Sequence, residues 1–132
     1  MNTSKNYKIV SDHYQASADK NIERMFENVS DKIVWHEMDG FPCAGTYHSQ
    51  TQIIENVFKV LGRDWIDYRF VLDQLIDGGE FLIATGNYRG QNRKTLKTID
   101  ARVAHFWQIK DGKIVRFEQF TDTHIVQQAM LG

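Results

Sequence analysis

The dipeptide Asp111-Gly112 constrains this chain more than any other feature of its sequence. It separates two long runs, LKTIDARVAHFWQI and KIVRFEQFTD, both dense in β-branched and aromatic residues. Asp-Gly suits a type I′ turn, whose two central residues both need positive φ and whose twist matches antiparallel strands. A hairpin this long is not stable alone; it needs further strands and an apolar layer against it.

Counting outward from a two-residue turn pairs Ile109 with Ile114 and Gln108 with Val115. One face then carries Phe106 opposite Phe117, Ala104 opposite Gln119, and Arg102 opposite Thr121. The other carries Trp107 opposite Arg116, His105 opposite Glu118, and Val103 opposite Phe120. The first face, with a small residue beside an amide, reads as a pocket wall. The second, with a cation–π pair and a histidine–carboxylate pair, reads as an outer surface or a dimer interface. A one-residue bulge would exchange the faces.

Upstream, WIDYRFVLDQLI and FLIATGNY flank Gly78-Gly79 as a second hairpin, and GQNRKT forms the next turn. Helical spacing governs the first half. Residues 8–18 read as a short helix, and Ile22, Met25, Phe26 and Val29 as a second one capped by Asp19. In SQTQIIENVFKVLG, Ser49 and Gln52 fit a capping box, Ile53, Ile54, Val57, Phe58 and Leu61 share a face, and Gly62 ends the helix. A strand at 32–38 lies between the second and third helices. Helices first and long strands afterwards predict an α+β domain with one curved antiparallel sheet around a helical layer. Residues 122–131 read as a closing helical turn or two.

The chain of 132 residues fits one domain, 1–132. Basic and acidic residues nearly balance, 16 against 17, with no basic stripe, so nucleic acid is not an expected partner. The opening MNTSKNYKIVSDHYQ lacks the apolar run of a signal peptide, and no segment approaches the ~20 apolar residues of a membrane span. A soluble, cytoplasmic protein is expected. Cys43 is the single cysteine, and the five histidines show neither i, i+4 nor H-x-H spacing, so no metal site is expected. No glycine-rich loop leads from a strand into a helix, so no nucleotide cofactor is expected.

The element order, the Gly45-x-Tyr47 turn and AHFWQIKDGKIVRFEQFTD resemble the SnoaL-like branch of the NTF2-like superfamily, over residues 8–128. Ketosteroid isomerase, polyketide cyclases and limonene-epoxide hydrolase belong to that superfamily. The resemblance implies a cone-shaped α+β barrel, no cofactor, a small apolar ligand or substrate, and a homodimer. It also implies site positions. Tyr14 matches the isomerase's oxyanion tyrosine, His36 its base, and Ala104 its second oxyanion donor. Gln119 stands where the epoxide hydrolase has a carboxylate. Two of the three isomerase groups differ, so steroid isomerisation itself is not implied.

The resulting candidates are His36 as acid–base group with Tyr14 and Asp122. Gln119, Phe117, Phe106, Ala104, Tyr88 and Phe58 would line the ligand site, and Trp107, Arg116, Phe120 and His105 the dimer interface. Histidine suits proton transfer near neutral pH. Because His36 and Trp35 alternate, only one of them can face the pocket. If a bulge turns His105 inward, His105 with Asp122 is the rival pair, and Asp122 is otherwise a helix cap. The function expected is cofactor-free proton abstraction next to a carbonyl, of the isomerase or cyclase kind. The alternative is a module that binds a ligand, or a second chain, without chemistry.

Overall fold

A computed structural model describes residues 4–132. The chain runs α1 (Lys5–Ala18), α2 (Ile22–Met25), β1 (Val29–Glu37), β2 (Gly45–Tyr47), α3 (Gln50–Ile53), a π-helical turn Ile54–Phe58, α4 (Lys59–Asp64), β3 (Trp65–Gly78), β4 (Phe81–Asn92), β5 (Thr98–Lys110), β6 (Lys113–Thr121) and α5 (Thr123–Met130). The strands form one curved, unclosed six-stranded sheet in the order β2-β1-β6-β5-β4-β3, an α+β architecture as expected. The pair β1–β6 is parallel, joining the first long strand to the last.

Local chemistry accounts for most boundaries. Ser4 caps α1 by accepting from the Tyr7 N–H at 3.0 Å. Asn21, rather than Asp19, caps α2. That helix is a single turn, so Val29 starts a strand instead of ending a helix. Ser49 accepts from the Gln52 N–H at 3.1 Å, while the Gln52 side chain reaches back to the His48 N–H at 2.8 Å. The helix runs past Gly62 to Asp64 and contains a π turn, with an i→i+5 bond from the Lys59 N–H to the Ile54 carbonyl. The short strand β2 lies within the stretch after Pro42 that reads as turn.

The last hairpin departs from simple counting. Asp111 and Gly112 have φ of 51° and 74°, as the type I′ turn requires, and Ile109 faces Ile114. The register then slips at Val115, so Gln108 faces Arg116, Trp107 faces Phe117, and His105 faces Gln119. This bulge turns one strand over relative to the other. Phe117 and Gln119 point inward as counted, and Arg116 and Phe120 outward. On β5 the faces are exchanged: His105 and Trp107 are buried, while Ala104 and Phe106 lie half-exposed on the outer face.

The core sits between the concave sheet face and the helices. Trp107, Leu82, Ile33, Ile53 and Val126 are fully buried, with Trp35 stacked on Phe117 at 4.0 Å. Burying an aromatic ring removes roughly 150–250 Å² from water, so Trp35, Trp65 and Trp107 dominate the apolar stabilisation. No helix among the described residues is long and apolar enough to cross a membrane.

Candidate functional site

On β1, Ile33, Trp35 and Glu37 alternate inward, and Val34 and His36 face out. His36 is therefore not in the interior. Its Nδ1 meets Thr46 Oγ1 of β2 at 2.8 Å on the outer face. There it borders a shallow cleft of about 470 Å³ with Val34, Arg116 and Glu118. The physical reason is the pleat: Trp35 fills the core, and its neighbour must point away.

The residue that takes the inward place at the end of β1 is Glu37. It is 3% exposed, and its Oε2 is buried with no hydrogen-bond partner. Burial raises its pKa to about 8, an effect that the indole of Trp35 partly offsets. Neither Glu37 Oε2 nor Trp35 Nε1 closes a hydrogen bond, so both remain polar atoms in an apolar setting. A carboxyl in this state is mostly protonated at neutral pH and can give or take a proton at modest cost. Sequence reasoning missed it, although alternation with Ile33 and Trp35 marks it as inward.

Beside Glu37 lies a chain of hydrogen bonds across the cone. Trp107 Nε1 donates to Tyr14 Oη at 2.8 Å, and Tyr14 Oη meets His105 Nδ1 at 2.6 Å. His105 Nε2 meets Tyr88 Oη at 2.7 Å, and Gln119 Nε2 donates to Tyr88 Oη at 2.9 Å. Gln119 Oε1 accepts the Met38 N–H at 3.3 Å, which fixes the orientation of its amide. Tyr14, Tyr88 and Gln119 thus meet in one network, and His105 joins them from the face it was not expected on.

Desolvation, aided by His13, lowers the His105 pKa to about 3, and His13, bonded through Nδ1 to the Met25 carbonyl, is lowered to about 4. Both rings are neutral at ordinary pH. The same desolvation raises the hydroxyls of Tyr14, Tyr68 and Tyr88 well above their usual range, and lifts the Cys43 thiol to about 12. The interior holds its polar groups uncharged.

The other candidates separate. Phe117 packs on Trp35, and His105 stacks on Phe70 at 4.4 Å. Phe58 lies half-buried against Trp35. Phe106 and Ala104 leave the inner face with the bulge, and Trp107 and His105 leave the proposed interface, for the same reason. Asp122 is exposed and caps α5, accepting from the Ile125 N–H at 3.2 Å, so it does not pair with His105. Among the described residues, no three His, Cys, Asp or Glu side chains gather as metal ligands. The outer cleft does not reach Glu37 or Tyr88, nor does a small one of about 40 Å³ beside His13.

A profile of the SnoaL-like domain matches residues 10–117. The chain belongs to the SnoaL-like family. Solved structures agree with this membership. An NTF2-like protein from Burkholderia thailandensis is 49% identical, with 100% of each chain covered and a TM-score of 0.95. An NTF2-like protein of unknown function from Burkholderia pseudomallei is 20% identical, covering 98% of this chain and 100% of that one, with a TM-score of 0.90. TerC, co-crystallized with polyporic acid, is 21% identical over 96% of this chain and 98% of its own, with a TM-score of 0.85. The latter two likenesses speak to the fold alone. No curated protein matches the chain.

Proposed function

We propose that this SnoaL-like protein is a cofactor-free acid–base enzyme of the isomerase or cyclase kind, acting at carbon next to a carbonyl in an apolar small molecule. The observation that carries the reading is Glu37, a buried carboxyl with an unpartnered oxygen and a pKa near 8. As carboxylate, Glu37 takes the proton from carbon, and the electron pair moves to the carbonyl oxygen to form an enolate. The proton returns from Glu37 to another carbon for isomerisation; for ring closure the enolate carbon attacks a second carbonyl, and the proton on Glu37 passes to the alkoxide oxygen so formed. Proton transfer by a placed group supplies typically ~10²–10⁴-fold. Hydroxyl donors near the enolate oxygen supply more. Tyr68 borders both solvent and the cluster, with its ring 5.3 Å from that of Tyr88, and marks the side from which a ligand enters.

Polyporic acid, with which TerC was co-crystallized, is the first compound to try. The test is a carboxyl ¹³C titration of Glu37, alone and with polyporic acid, assigned through Glu37→Gln. The expected result is a midpoint near pH 8 that moves when the compound is added. A midpoint in the ordinary carboxylate range sinks the reading. Where a substrate is found, Glu37→Gln lowers kcat at least ~10²-fold.

The protein is further proposed to act as a homodimer joined through the outer sheet face. Ile76, Phe81 and Phe120 are 47%, 42% and 48% exposed there, with Phe106 and Ile83 between them on neighbouring strands. An apolar row of this kind on a sheet face fits a second copy of the same surface related by a two-fold axis.

A further inference from the structure

The hydrogen-bond chain through the interior contains one proton more than its contacts can use. Two links are at issue, Tyr14 Oη to His105 Nδ1 and His105 Nε2 to Tyr88 Oη. Three protons are available for them: one from each tyrosine and the single N–H of a neutral imidazole. Both tyrosine oxygens also accept a bond from outside the pair, from Trp107 Nε1 on one side and Gln119 Nε2 on the other. The His105 tautomer decides which tyrosine keeps the surplus. With Nδ1–H it stays on Tyr14; with Nε2–H it stays on Tyr88.

The surroundings of the two hydroxyls are unequal. Tyr14 is buried and walled by the rings of His13, Phe70, His105 and Trp107, and its hydroxyl hydrogen-bonds with His105 and Trp107. A surplus proton there would be buried and unused, which is costly. Tyr88 instead has the half-buried ring of Tyr68 5.3 Å away, on a side that reaches solvent. Its proton therefore has a solvent-bordering side to turn to. The 2.6 Å separation of Tyr14 Oη and His105 Nδ1 lies just below the usual N–H···O range, and the 2.7 Å of His105 Nε2 and Tyr88 Oη lies at its short edge.

We infer that His105 is locked as the Nε2–H tautomer by the Tyr14 hydroxyl, leaving the Tyr88 hydroxyl as the donor that meets the ligand oxygen beside Glu37. This rests on the acid–base reading of Glu37 for its ligand and not for its tautomer. Tyr88 is then the catalytic oxyanion donor, and Tyr14, His105 and Gln119 are positioning residues. Two bonds accepted from His105 and Gln119 strengthen Tyr88 as a donor, since each draws charge from its oxygen. Tyr14, which matches the oxyanion tyrosine of the resemblance, is sealed behind the histidine and acts one step back.

The test begins with a long-range ¹H–¹⁵N spectrum of the ¹⁵N-labelled full chain between pH 6 and pH 8, with His105 assigned by its loss in His105→Gln. The expected pattern is a neutral Nε2–H ring that does not titrate. An Nδ1–H pattern, or a doubly protonated ring, overturns the inference. Polyporic acid is then added to protein labelled with ¹³C at the tyrosine Cζ. The expected response is a shift at Tyr88 with Tyr14 fixed. A shift at Tyr14 with Tyr88 fixed overturns the donor role, as does silence of both. An ordinary Glu37 midpoint together with an Nε2–H ring defeats the acid–base reading and leaves the tautomer standing.

Discussion

The hydroxyl of Tyr14 and the Nδ1 of His105 stand 2.6 Å apart, tying the first helix to a strand 91 residues later. The same oxygen accepts the Trp107 N–H, so one helix residue satisfies two buried groups of β5.

Tyr14→Phe leaves the Trp107 N–H without its acceptor and the His105 Nδ1 without its donor. A buried polar group that loses its partner costs ~1–3 kcal/mol, so urea denaturation should show a loss of that order for the variant. An unchanged midpoint would mean that the network does not hold the helix.

Glu37 makes stability depend on pH above the acid range. Its folded pKa of about 8 lies above the unfolded value, so between roughly pH 4.5 and 8 the folded chain binds more protons and stability falls as pH rises. Urea midpoints of the wild type should drop between pH 6.5 and 8.5, while those of Glu37→Gln stay level.

The two buried histidines work in the opposite sense. His13 and His105 are neutral when folded, with pKa values lowered to about 4 and about 3, and take protons near ~6.5 when unfolded. Below that pH the unfolded state binds the extra protons, so stability falls as pH falls toward 4. Combined with Glu37, this predicts a stability maximum near pH 6.5, to be read from a series of denaturation curves. His13→Gln should flatten the acid limb by about one proton.

On the outer face, Phe120→Glu should turn the proposed dimer into a monomer by light scattering at micromolar concentration. Its side chain is 48% exposed, so stability of the separate chain should change by no more than ~0.5 kcal/mol. A wild-type monomer under the same conditions removes the dimer proposal.

Gly86 is a steric test of the β3–β4 ladder. A Cβ added there would fall on the Val71 carbonyl oxygen and lie 2.7 Å from the Phe70 ring. Since Phe70 stacks on both Tyr14 and His105, Gly86→Ala should destabilise by at least ~1–3 kcal/mol and disturb the His105 ring signals.

The element order, the Asp111-Gly112 turn, the Ser49 cap and the inward aim of Phe117 and Gln119 were legible, because each follows from local backbone chemistry or strand period. The slip at Val115 was not. No glycine marks it, and Ile-Val-Arg reads as regular strand, yet it exchanges His105 and Trp107 with Ala104 and Phe106. Glu37 was hidden for another reason. A carboxylate is among the last side chains expected in a core, and the adjacent His36 is the more familiar acid–base group, although Ile33 and Trp35 set the phase of the strand.

The parallel contact of β1 with β6 has a consequence for the order in which the cone can be built. Trp35 lies beside Phe117, and the Met38 N–H meets Gln119 across 81 residues. During synthesis, Glu37 emerges early, its strand paired in the sheet only with the short β2 until β6 arrives. Trp35 gains its Phe117 neighbour, and Tyr88 its bond from Gln119, only after the final hairpin has left the ribosome. A polypeptide arrested before that hairpin carries the proposed acid–base carboxyl without the strand that flanks it.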